Sequence, residues 1–115
     1  MKKQQFNRYN DGVVSLYREK PRRTDFSAKQ NVAGLEDMEF VVKLAFEESV
    51  KREQDLSFAQ QNDFTLTMKI RTRLLKCIDN KCKAVIDGYL YDVKEVDKDR
   101  EEMWLYMEGI REIGE

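Results

Sequence analysis

Between residues 64 and 76 the chain alternates strictly. Phe64, Leu66, Met68 and Ile70 fall on one side, and Thr65, Thr67, Lys69, Arg71 and Arg73 on the other. A period of two puts one face on a core and the other in water, and the threonines add a β-branched preference, so a helix is hard to accommodate here. A strand that is wet on one face belongs to an antiparallel sheet, and the search is for its neighbours.

Downstream, turn residues punctuate apolar runs. A turn at Asp79-Asn80 is followed by a strand over 82–86, and Asp87-Gly88 by a strand over 89–96. A turn over 97–100 then leads into a strand over 102–110. Asp-Gly between apolar runs is a strong hairpin signal, because the tight primed turn requires positive φ. In the last strand Met103, Leu105 and Met107 share one face while Trp104, Tyr106 and Ile110 share the other. A strand that is apolar on both faces is central, or is covered by another element or subunit.

Upstream, Asp11-Gly12 is a turn and 13–18 has the composition of a short strand. Over 38–48 helix and strand compete. Val42, Ala45 and Phe46 could share a helix face, but large apolar residues at Phe40, Val42, Leu44 and Phe46 favour a strand. The run over 50–61 has no proline or glycine, and Leu56 with Ala59 gives one apolar edge, so a helix of two or three turns is expected. It should end near Asn62, a residue suited to a left-handed cap. The segment 19–37 holds Pro21 and the basic residues Lys20, Arg22 and Arg23 but no pattern of its own, which makes it a long loop. The expected fold is therefore mainly β: a small antiparallel barrel or sandwich of about six strands, with one short α-helix and a long loop. Residues 1–115 form a single domain, of which 1–11 is expected to be a flexible arm.

Composition excludes several functions. There is no histidine, the usual general base near neutral pH, and neither a phosphate-cradling loop nor a Gly-x-Ser-x-Gly elbow occurs. An enzyme is not expected, nor a cofactor, nor a small-molecule substrate. Lys plus Arg (21) and Asp plus Glu (22) nearly cancel to a net charge of −1, so no global field favours nucleic acid. Two thiols without histidine cannot complete a four-ligand zinc site, and no metal is expected. The acidic run Asp92, Glu95, Asp97, Asp99, Glu101 and Glu102 is interleaved with Lys94, Lys98 and Arg100, as in a solvated hairpin rather than a divalent-cation site. If Asp79-Asn80 centre a hairpin, Cys77 faces Cys82. A strained cross-strand disulfide then competes with free thiols, which a reducing cytosol favours. No apolar run approaches the roughly 20 residues of a membrane span, nor is there one suited to a secretory signal, so a cytosolic protein with no membrane contact is expected. Lys69, Arg71 and Arg73 are a candidate interface on the wet face of the 64–76 strand, and Lys20, Arg22 and Arg23 a candidate partner loop.

Four segments, 44–59 (LAFEESVKREQDLSFA), 69–73 (KIRTR), 85–93 (VIDGYLYDV) and 104–106 (WLY), occur in an order and spacing that resembles the small head-closure, or stopper, proteins that join head to tail in long-tailed bacteriophages and prophages. The resemblance spans roughly residues 12–110. It implies a compact β-barrel with a short helix and long loops, a homo-oligomeric ring in the virion neck, and no catalysis. It implies that the chain is made in the host cytoplasm, where it can be monomeric, and later occupies the head–tail interface. Its implied partners are the portal-side adaptor, tail-completion proteins and the packaged DNA whose channel the ring closes. The loop over 19–37 would correspond to the family's channel-side loop, with Lys20, Arg22 and Arg23 facing DNA or acidic neighbours. The alternative is a free-standing barrel that binds single-stranded nucleic acid through Lys69, Arg71 and Arg73, with Tyr89, Tyr91 and Tyr106 as stacking platforms.

Overall fold

The computed structural model describes residues 9–19 and 38–113, which form a closed six-stranded antiparallel barrel with one helix on its outside. The elements are β1 (Gly12–Glu19), β2 (Met38–Ser49), α1 (Glu53–Gln61), β3 (Met68–Arg73), β4 (Lys83–Ile86), β5 (Tyr89–Lys98) and β6 (Glu102–Glu112). Around the barrel the order is β1-β2-β3-β6-β5-β4, with β4 pairing back onto β1. The strand reading of 38–48 holds, and so does the Asp87-Gly88 hairpin, where both residues have positive φ (52° and 78°).

The barrel is filled by side chains from every strand. Val14 and Leu16 of β1, Phe46 of β2, Ile70 of β3, Ala84 and Ile86 of β4, Val93 of β5, and Met103, Leu105 and Met107 of β6 make one buried cluster. A six-stranded barrel is too narrow to leave a lumen, so inward residues must meet at the axis. Thr72 is also fully buried on the inward row, and its hydroxyl donates to the Ala45 carbonyl at 2.6 Å, which removes the cost of burying it. Three registers skip a residue: Val41 between the pairs Leu16–Val42 and Tyr17–Phe40, Lys94 between Val93–Met107 and Glu95–Tyr106, and Ile110 between Tyr91–Gly109 and Leu90–Arg111. Bulges of this kind add the local twist that a tight barrel needs in order to close.

Two expectations from the sequence are corrected. First, 79–82 is a turn, with Asp79 Oδ1 accepting from the Lys81 amide at 2.9 Å, but it does not join paired strands. β3 and β4 stand opposite one another in the ring, so residues 74–82 cross one end of the barrel and seat Ile78, fully buried, in the core. Cys77 therefore does not face Cys82 across a ladder. Both are free thiols, Cys77 exposed and Cys82 buried. Second, the strand read over 64–76 is shorter at both ends. Phe64 and Leu66 leave the inward row and pack outside the barrel with Ala59, Trp104 and Tyr106. Residues 1–8 of the expected arm lie outside the described residues, and Tyr9 and Asp11 make contacts with the barrel. The Tyr9 hydroxyl donates to Glu102 at 2.7 Å, the Asp11 amide donates to the Phe46 carbonyl, and the Asp11 carboxylate accepts from the Glu48 amide at 2.7 Å.

Two measurements check the crossing segment. Ile78→Ala should destabilise the fold by about 2–4 kcal/mol in denaturant titrations, the usual range for emptying a packed aliphatic site. Alkylation of the folded protein should modify Cys77 alone. Burial pushes the Cys82 thiol pKa up, so it should react only after unfolding.

Candidate functional site

Outside the barrel, the wall made by β3 and β6 carries α1. The helix begins at Arg52, whose backbone amide donates to Asp55 Oδ2 at 2.9 Å, so a carboxylate in the first turn satisfies an otherwise unpaired donor. It ends in a Schellman motif: the Asp63 amide bonds the Gln60 carbonyl, and the Phe64 amide bonds the Ala59 carbonyl. Asn62 is the C-cap, but the left-handed residue is Asp63 (φ 61°), one position later than the sequence suggests. The buried face also differs from the expected Leu56–Ala59 edge. Leu56 is exposed, while Asp55 and Ala59 are buried and Phe58 packs edge-on against Phe64 and Tyr106.

Asp55 and Lys69 meet under this helix. Lys69 Nζ lies 2.9 Å from Asp55 Oδ2, and both side chains are nearly inaccessible to solvent (6% and 4%). The same carboxylate accepts from the Tyr106 hydroxyl and from Arg52 Nε and Nη2, each at 3.4 Å, and the Lys69 ammonium sits 5.1 Å from the centre of the Tyr106 ring. Burial alone would raise the Asp55 pKa. Hydrogen bonds from Lys69 and Arg52, together with the Lys69 charge, outweigh burial and hold it at about 2. Burial, then the nearby Asp55 and Asp97 carboxylates, push Tyr106 up, so its hydroxyl stays a donor.

A second polar tie lies on the same wall. Arg71 donates to Glu47 of β2, through Nε at 3.0 Å and also through Nη2, and to Glu102 of β6 through Nη1. Its guanidinium carbon lies 5.2 Å from the centre of the Tyr9 ring. Arg71 thus links β2, β3, β6 and the N-terminal arm. Further round, Lys83 pairs with Asp92, and Lys94 lies 3.7 Å from Glu108. Two open clefts flank α1. One, of about 410 Å³, is lined by Ser49, Val50, Arg52, Lys69, Asp97 and Trp104; the other, of about 240 Å³, by Asp55, Phe58, Glu95, Asp97 and Tyr106.

These positions reorder the residues singled out in the sequence. Lys69, Arg71 and Arg73 do share the outer row of β3, but that row is not a free basic stripe. Lys69 is buried beneath α1, Arg71 is held between two carboxylates, and Arg73 remains exposed. Of the proposed stacking rings, Tyr91 and Tyr106 are buried, and Tyr89 is half-buried and tilted against Tyr91. Lys20, Arg22 and Arg23 lie outside the described residues. Asp55 was not among the sequence candidates, although an acidic residue three positions after a helix start is the signal that would have found it. Among the described residues no three histidine, cysteine or carboxylate side chains are gathered as a metal site, and no helix is long and apolar enough to cross a membrane.

The depressed Asp55 pKa fixes a pH window. The folded value lies below the ordinary 3.8, so the pairing stabilises the fold fully above about pH 4 and is lost as pH falls through about 2. The contribution is on the order of 2 kcal/mol at about 1.4 kcal/mol per pKa unit. Asp55→Asn should remove this window, so that wild type and variant converge in stability below about pH 2 in acid-dependent denaturant titrations. The chain matches no model of a known protein family and no curated protein.

Proposed function

We propose that this protein is a non-enzymatic structural component of the neck of a long-tailed phage or prophage, one subunit of a ring that joins head to tail and closes the DNA channel after packaging. The observation that carries the reading is where the four resembling segments fall. They cover the second half of β2 with most of α1, nearly all of β3, the turn between β4 and β5 with the strand ends beside it, and three residues of β6, so each falls on the helix or on a wall of a helix-bearing barrel such as the resemblance implies. Within them, Lys69 and Arg71 of KIRTR are the two cations that tie the wall to α1 and to its neighbouring strands. The resemblance thus rests in part on residues with structural work to do in the barrel.

The connection between β1 and β2 also supports a partner-facing role. Glu19 is paired with Met38, so β1 ends beside the start of β2, where a two-residue turn would serve, yet eighteen residues, 20–37, separate them in sequence. Connections of that length in a small domain are usually functional. Its cations Lys20, Arg22 and Arg23 would then meet DNA or acidic neighbours in the ring. The nucleic-acid alternative has less support, because a backbone-tracking groove needs solvent-facing cations beside open rings, and Lys69, Arg71, Tyr91 and Tyr106 are engaged internally.

Inactivating the gene in a phage or inducible prophage that carries it should give heads that lose packaged DNA and tails that remain unattached, seen by electron microscopy of lysates. Intact tailed particles at wild-type yield would overturn the reading.

A further inference from the structure

Independently of the neck reading, we propose that α1 is a strap that opens from the barrel wall as a unit, on the Asp55–Lys69 clasp, while the barrel stays closed. The argument begins with what joins the helix to the rest. β2 and β3 pair directly, Phe46 through Ser49 with Thr72 through Lys69, so the ladder on that side does not run through α1. The strap's base is pinned at both ends. Lys51 Nζ donates to the Thr67 carbonyl at 3.0 Å, the Thr67 amide donates to the Met107 carbonyl, and the Thr67 hydroxyl accepts from the Gly109 amide at 2.9 Å. Residues 52–66 can therefore lift without breaking a strand pair.

The contact holding the strap down is small and polar at its centre. A helix of nine residues is marginal on its own in water. Only Asp55 and Ala59 of α1 are buried, Phe58 is half-buried, and two open clefts that share Asp97 bring solvent up to the contact. Leu66 and Tyr106, with the partly buried Phe64 and Trp104 and the edge-on Phe58 ring, complete an apolar patch smaller than the barrel core. The remaining hold is an ion pair that is desolvated when shut, and both of its charges regain water when it opens. Opening therefore costs less than unpacking an equal area of apolar wall, which is the condition for local rather than global unfolding. The opened wall would present the Lys69 ammonium beside Tyr106 and Trp104.

Hydrogen exchange on the whole chain tests this. In the wild type, amides of 56–62 should exchange at least tenfold faster than those of Val93 and Leu105, and with a much shallower dependence on denaturant. Asp55→Asn should speed the helix amides by a further tenfold or more and leave the β5 and β6 amides unchanged. The double variant Asp55→Leu with Lys69→Met, which replaces the clasp by apolar side chains, should slow the helix amides again. Exchange of α1 and β6 at one rate with one denaturant slope in the wild type would overturn the proposal, whatever the variants do. Equal acceleration of both elements by Asp55→Asn would overturn it as well.

Discussion

Closure of the sheet is the constraint on which the rest of this molecule depends. In a six-membered ring every strand has two neighbours, and the pairing β1-β2-β3-β6-β5-β4 can be completed only if the chain passes from β3 to the opposite strand β4 across an end of the barrel. That passage seats Ile78 in the core and leaves Cys82 buried and Cys77 in solvent. Ring closure also fixes the inward row of β6, Met103, Leu105 and Met107, which forces Trp104 and Tyr106 outward, where they need cover. α1 supplies it. Closure further removes the exposed edges through which small sheets associate unspecifically.

Strand periods were legible because a half-buried strand writes its environment into alternate residues, and Asp87-Gly88 was legible because its backbone geometry suits few residue pairs. The partner of each strand was not. Asp79-Asn80 announces a turn with the same chemistry whether the flanking strands are neighbours or stand across a barrel, so the hairpin reading of Cys77 and Cys82 was locally sound and globally wrong. Likewise, alternation placed Lys69 on the outer row correctly but could not say that the outer row is roofed there. Wetness was inferred from chemical type, and a lysine whose charge is matched by Asp55 breaks that inference. Two-sided apolarity in β6 did carry the right message: Trp104 and Tyr106 required a cover, and the sequence left open whether it came from this chain.

The wall residues divide by what they hold. Arg71 works between strands and the arm, drawing Glu47, Glu102 and Tyr9 to one point, so its role belongs to the barrel itself. Lys69, two residues away on the same row, works between layers and meets only groups that arrive with α1 or face it. A buried ion pair adds little net stability compared with apolar packing, but it discriminates strongly between one seating of a helix and its alternatives. On a nine-residue helix whose apolar seat is Ala59 and the edge of Phe58, the Asp55–Lys69 pair is the most directional contact.

The packed axis has a consequence for any assembly this chain enters. Leu16, Ile70, Met103 and Leu105 meet at the centre, and Ile78 stops one end, so no thread of polymer, ion or solvent can run through a single subunit. Any conduit in an oligomer must therefore be a space between copies, bounded by outer-wall and connecting residues. Its width would follow from how many copies assemble and how they tilt, and could change by rigid-body movement while each barrel remained unaltered.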